Sequence, residues 1–188
     1  MRRGVRWQIS AGAILLFALF YFLDSEGIVS AMIPAVLIHE IGHVLALRLC
    51  GSRVTRVCVS LTGVELDYAP GVGGLRAAAC FLSGPLFGAA YALAALAQKS
   101  VFWRMSGASS ALLTAFNLLP ILPLDGGRAV ALLLTEAAAR RVFLLAALAL
   151  LAGGAALAVS RGSFMALWLG AWLTLCNLKA IPGLRPDR

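Results

Sequence analysis

Ile28-Val-Ser-Ala-Met-Ile-Pro-Ala-Val-Leu-Ile-His39-Glu40-Ile41-Gly42-His43-Val-Leu-Ala-Leu-Arg-Leu-Cys50 decides how this chain reads. The stretch is apolar and long enough for a membrane helix, which needs about 20 residues. Both of the chain's 2 histidines lie in it. Positions i and i+4 share a helical face, so the two imidazoles point the same way. Such a pair can hold one zinc ion, with Glu40 beside it as a candidate general base. The plainer alternative is a chance pattern whose histidines merely hydrogen-bond neighbouring helices. Ionisable groups at membrane depth are costly and usually serve a cavity or a partner, which weighs toward the metal.

Working outward, the rest of the chain suits a bilayer. Apolar residues make up 61% of its 188 residues and charged residues only 13%, with a mean hydropathy of +0.92. A soluble domain of this size would need far more polar surface. The net charge of +8 forms no patch; its arginines and lysines sit at the ends of apolar runs, as topogenic charges do, so no direct nucleic-acid partner is expected. Cys50, Cys58, Cys80 and Cys176 show no C-x-x-C spacing and read as small buried hydrophobes.

Six apolar stretches can be drawn, at 7–23, 28–50, 75–98, 106–122, 142–159 and 163–178, the first read as an uncleaved span. A segment at 128–139 either continues the fourth helix or lies at the interface. Of the 16 Lys and Arg, thirteen fall on the N-terminal side of the membrane in this scheme and three (Lys99, Arg104, Arg161) on the other. The bias predicts a membrane protein with both termini cytosolic, and it puts His39 and His43 in the inner half of the second helix. Residues 51–74 are the non-helical insert. Val54-Thr-Arg-Val-Cys-Val-Ser-Leu is rich in β-branched residues, Gly63-Val-Glu-Leu-Asp-Tyr follows, and Ala69-Pro-Gly-Val-Gly-Gly ends it, which predicts a cytosolic β-hairpin. The expected fold is therefore an all-α polytopic membrane protein of about six transmembrane helices with a small β insert after the second. It forms one domain over 1–188, with its core at 28–139 and no appended soluble domain.

An open zinc site needs a third protein ligand, commonly a carboxylate. Asp24, Glu26 and Asp187 are flanking or terminal, Glu136 lies past the fourth span, and Glu65 and Asp67 belong to the insert. Asp125 remains, in Asn117-Leu-Leu-Pro120-Ile-Leu-Pro123-Leu-Asp125-Gly126-Gly127-Arg128. Prolines and glycines break the helix there, and broken backbone in a bilayer needs protein or water to satisfy it, which suggests a cavity. Asp125 also suits the N-cap of a helix starting near Gly126. From the residues alone the two roles stand level.

The order H-E-x-x-H on one span and N-x-x-P-x-x-P-L-D-G-G on a later one resembles the site-two protease family of intramembrane zinc metalloproteases. Gly63-Val64-Glu65 is similar to the family's hairpin, and Ser83-Gly84-Pro85 to its small-Gly-Pro turn in the third span. The likeness covers roughly 28–130, and the chain's brevity is similar to the compact members that process pro-sigma factors in sporulation. It departs at Gly88, where many members carry Asn, and at Leu122, where many carry Pro. The resemblance implies His39, His43 and Asp125 as ligands of one Zn2+ and Glu40 as the catalytic base. It places Asn117, Gly63, Val64, Gly84 and Pro85 on the substrate side. It further implies a membrane-anchored protein substrate, such as a pro-sigma or anti-sigma factor, and a regulatory membrane partner. A helical substrate must unwind before attack, and the 54–68 hairpin is expected to offer it an edge strand. The alternatives of another class are a zinc-binding scaffold without proteolysis and a metal or proton transporter.

Overall fold

The computed structural model describes residues 5–60, 63–68, 72–162 and 164–180. In chain order it contains β1 (Arg6–Ile9), α1 (Ala11–Leu23), α2 (Ile28–Leu49), β2 (Val54–Ser60), β3 (Gly63–Tyr68), α3 (Gly74–Leu96), α4 (Val101–Asn117), α5 (Asp125–Leu133), α6 (Glu136–Arg161) and α7 (Met165–Ala180). The terminal Arg2, Arg3, Arg185, Asp187 and Arg188, and the Ala69–Gly71 end of the insert, lie outside the described residues.

The helix ends follow from local chemistry. The Ser10 hydroxyl accepts the Ala13 amide and starts α1. Between α1 and α2, the Asp24 carboxylate accepts the amides of Ile28 at 2.8 Å and Val29 at 2.7 Å. Gly27 caps α2 at φ 73°, a left-handed conformation that glycine adopts without strain. Thr135 caps α6 by accepting the Ala138 amide, and it separates α6 from α5. The 128–139 stretch, expected to continue the fourth helix or to lie at the interface, is thus divided between α5 and the start of α6.

Three helices, α2, α3 and α6, are long and apolar enough to cross a bilayer; α1 and α7 are apolar but shorter. The expected fourth span is displaced toward the N-terminus. It begins at Val101 and stops at Asn117, because Pro120 and Pro123 supply no amide donor and disfavour helix in the residues before them. Its start lies ahead of the apolar pattern because Arg104 interrupts it. Large apolar side chains lie exposed along the helices, among them Leu15, Phe22, Leu37, Leu93, Leu145 and Trp168, a surface suited to lipid.

Where helices meet, small residues are buried. Ala31, Ala35 and Gly42 of α2 and Ala77, Ala78, Gly84, Gly88 and Ala92 of α3 form the central seam. Lipid tails are as apolar as leucine, so helices in a bilayer gain from close backbone approach rather than from hiding apolar area. A β-carbon on Gly42 would fall 2.7 Å from the Ser83 carbonyl oxygen. In α4, Ser106, Ser110 and Thr114 form a buried polar stripe toward α3. Helices α6 and α7 pair closely, with Gly154 against the Leu167 backbone.

The sheet has three strands in the order β1-β2-β3, with β1 parallel to β2 and β2 antiparallel to β3. Within the 54–68 hairpin β2 is central, paired to β1 on one side and β3 on the other, so β3 is the outer strand of the hairpin; the pairing of β1 was not expected. Arg56 ties all three together, donating to Gln8 at 2.9 Å and to Asp67 at 2.6 Å. The remaining edges are the outer sides of β1 and β3.

Candidate metal centre

Helix α2 presents His39 and His43 one turn apart, and both side chains are buried. Their Nε2 atoms lie 3.2 Å apart. Asp125 opens α5, and its Oδ2 lies 3.1 Å from His39 Nε2 and 3.1 Å from His43 Nε2. The N-cap of α5 is Leu124, and no side-chain cap bond is made there, so the Asp125 carboxylate faces the histidines rather than its own helix end. Among the described residues, these three form the group of metal-capable side chains that converges.

The glycines after Asp125 are a steric necessity. A β-carbon on Gly126 would sit 2.3 Å from the Leu118 carbonyl oxygen, and one on Gly127 would sit 2.4 Å from that of Ile121. The first turn of α5 therefore lies directly on the backbone of the Leu118–Leu124 break. The break satisfies itself locally through bonds from Ile121 to Leu119 and from Leu124 to Ile121. The Leu122 amide goes to Asn177 Oδ1 on α7 at 3.2 Å, and Asn177 Nδ2 donates to the Phe143 carbonyl on α6. The Leu122–Pro123 peptide is cis.

Donor logic fixes the state of His43. Its Nδ1 lies 2.9 Å from the Cys80 carbonyl oxygen, which can only accept, so Nδ1 carries the proton. In the neutral ring, Nε2 then presents a lone pair, and it faces the lone pairs of Asp125 Oδ2 3.1 Å away. Two acceptors at that distance repel unless a cation stands between them. Tetrahedral zinc with bonds of about 2.0–2.1 Å spaces its ligands about 3.3–3.4 Å apart. The observed separations of 3.1, 3.1 and 3.2 Å come close to that figure. His39 Nδ1 is buried with no hydrogen-bond partner among the described residues. The donor set therefore fits zinc.

Glu40, half-buried, follows His39 on α2 and lies within electrostatic reach of both histidines, Asp125 and Arg128. Gly84 abuts the site from α3, since a β-carbon there would fall 2.2 Å from His43 Nε2. Pro85 is also buried, and Ser83-Gly84-Pro85 lies inside α3, where the sequence predicts a turn. Asn117 ends α4 half-buried, its Nδ2 donating to the Leu113 carbonyl. Gly63 and Val64 begin β3, paired with Ser60 and Val59 and outside the metal cluster.

Three participants escape sequence reasoning. The Cys80 carbonyl is a backbone group and leaves no residue signal. Arg128, which reads as a topogenic charge, stacks over Phe81 at 5.6 Å; its place three residues after Asp125 puts it on the same face of α5. Asn177 is a lone amide in an apolar helix, and buried amides in a bilayer mark a partner.

Comparison with known proteins adds two findings. Residues 72–161 match the family model of Peptidase family M50. That region holds Ser83–Pro85, Asn117 and Asp125, while α2 lies outside it. No curated protein matches the chain. Among solved structures the chain is similar to the Site-2 Protease from Methanocaldococcus jannaschii, at 16% identity and a TM-score of 0.60, over 100% of this chain and 96% of that one. At that identity the likeness concerns the fold.

Proposed function

We propose, from the premise that the M50 match and the shared fold support the site-two protease family for this chain, that it is an intramembrane zinc metalloendopeptidase. It cleaves a membrane-anchored protein within or near the bilayer. The observation that carries the reading is the mutual approach of His39, His43 and Asp125, drawn from segments 82 and 86 residues apart onto one point.

In this reading His39 and His43 from α2 and Asp125 from α5 hold one Zn2+. A bound zinc supplies Lewis acidity toward a carbonyl and lowers the pKa of water to about 7. Glu40 takes a proton from the attacking water and delivers it to the departing amine nitrogen, so the carboxylate is regenerated in each turnover. The Cys80 carbonyl keeps His43 in the tautomer whose Nε2 is free. Gly84 and Pro85 shape the pocket from behind, and Asn117 stands on the substrate side. The unwound substrate pairs with the outer edge of β3, where Gly63 and Val64 begin the strand. The domain spans 1–188 in a bacterial cell membrane, with both termini cytosolic by the bias of its charges. Its substrate class is that of a membrane-anchored pro-sigma or anti-sigma factor, met with a regulatory membrane partner.

The test is elemental analysis of detergent-purified protein, with cleavage of a single-span reporter followed beside it. Wild type should carry about one zinc per chain. Asp125→Asn and His43→Ala should both lose it, which would join the two distant segments in one site. Metal uptake indifferent to Asp125 would sink the reading. A metal-dependent flux in vesicles with no new peptide end would replace it by transport.

A further inference from the structure

The backbone leading to Asp125 satisfies most of its own amides. Pro120 and Pro123 bring none, and those of Leu118, Leu119, Ile121 and Leu124 bond to the carbonyls of Thr114, Phe116, Leu119 and Ile121. Among these, the Leu122 amide is the one that finds its acceptor in a distant helix, at Asn177 Oδ1 on α7, 3.2 Å away. A backbone donor freed within a bilayer is satisfied by protein or left at a cost.

The orientation of the Asn177 amide follows from its two partners. An N–H calls for an oxygen and a carbonyl calls for an N–H, so Oδ1 faces Leu122 and Nδ2 donates to the Phe143 carbonyl at 3.4 Å. Asn177 is only 2% exposed, and Phe143 and Ile121 are fully buried. Helices α6 and α7 do not need this amide in order to pair. Gly154 and Gly170 already bring their backbones together, since β-carbons there would fall 2.7 Å from Leu167 Cα and 3.2 Å from the Leu150 carbonyl oxygen. Of the two bonds, the shorter leaves the α6–α7 pair for the break.

The Ile121–Leu122 peptide that Asn177 holds is also the floor of α5. A β-carbon on Gly127 would meet the Ile121 carbonyl group and would fall 2.6 Å from Leu122 N. Gly127 follows Asp125 within the first turn of α5, so a shift of that peptide carries Asp125 with it. We propose that Asn177 is a positioning residue of the metal centre: by holding the Leu122 amide it sets where Asp125 Oδ2 stands against His39 and His43. Helix α7, which contributes none of the three ligands, thereby takes part in metal binding. Ligand distances in a metal site hold to about ±0.2 Å, so a small displacement is enough to be felt. The inference rests on the metal reading above.

The test uses full-length protein in detergent micelles, loaded with Co2+ in place of zinc so that visible absorption reports the ligand geometry. Zinc affinity is measured beside it by chelator competition. Asn177→Leu removes the acceptor. It should shift the cobalt bands and weaken zinc binding by roughly 10-fold, the lower end of what outer partners of a metal site contribute. Leu122→Pro takes away the amide itself, so Leu122→Pro with Asn177→Leu leaves no donor without an acceptor. That double variant should regain the wild-type bands and affinity, a coupling that a packing role for Asn177 does not give. Should Asn177→Leu alone fail to fold, the double variant decides. A wild-type metal signature in it upholds the assignment, and failure to fold or to bind overturns it. A lowered melting temperature with unmoved bands and unchanged affinity in Asn177→Leu would reduce Asn177 to packing and overturn it too. Wild type without zinc overturns the metal reading and this inference together, whereas zinc-loaded wild type beside an indifferent Asn177→Leu overturns this one alone.

Discussion

Glu40 and Asp125 are both carboxylates beside the same two imidazoles, yet they differ in what their removal should do. Asp125 Oδ2 sits within 3.1 Å of each Nε2 and completes the ligand triangle, while Glu40 stands one position along α2 and outside it. Glu40→Gln should therefore retain about one zinc and lose cleavage by roughly 10²–10⁴-fold, the usual worth of a positioned proton acceptor. Asp125→Asn should lose metal affinity by more than the roughly 10–100-fold of an outer partner, and activity with it. Isothermal titration with zinc and a gel assay on the reporter check the pair; equal metal loss in both variants would contradict the division. The two histidines stood out in the sequence because they are the 2 the chain has and their spacing matches a helical turn, whereas Asp125 stood level with a capping role until the family resemblance was drawn. The partner of His43 Nδ1 was not legible, since it is the main-chain carbonyl of Cys80.

Elements carry a second set of expectations. Glycine after Asp125 is dictated by the backbone beneath α5, with the Ile121 carbonyl 2.4 Å from where a β-carbon on Gly127 would fall. Gly127→Ala should cost about 1–3 kcal/mol through overpacking and lift Asp125 away from the histidines. Thermal unfolding with and without zinc would show it as a lower midpoint and a smaller zinc-induced rise. In the sheet, proline inside β2 should break two ladders and hinder folding. Proline at outward-facing amides of β3 should spare folding and zinc uptake while lowering cleavage several-fold. If β3 prolines left cleavage untouched, substrate pairing there would be abandoned. The break at Pro120 and Pro123 and the β character of 54–68 could be read locally. Strand β1 could not, because Arg6–Ile9 adjoins an apolar run and its partner lies some 50 residues on, at a register no local periodicity encodes.

Across the whole molecule, the candidate metal centre is a fastening. It joins α2 to α5, and through the break and Asn177 it reaches α6 and α7. In the proposed reading zinc binds the assembled site and not the unfolded chain, so stripping it with a chelator should lower the melting temperature in detergent. The stabilisation lost is about 4 kcal/mol if free zinc stood at 1,000 times its Kd. Asp125→Asn should melt at the same temperature with or without chelator. Arg140→Ala with Arg141→Ala, at the start of α6, should alter insertion or expression and leave the zinc content of the inserted protein intact. Lost zinc in correctly inserted protein would overturn that.

The parallel pairing of β1 with β2 has a directional outcome. The chain leaves β1 through α1 and returns to the sheet through α2, entering β2 at Val54, the end opposite the one where the Ser10 amide bonds to the Val59 carbonyl. Helices α1 and α2 thus make an out-and-back excursion, and His39 and His43 stand on the homeward leg, in the half of α2 that leads into β2. The molecule has a chemically armed pole and a mute one. A membrane-impermeant chelator should disarm it from one compartment only, and the strands mark which.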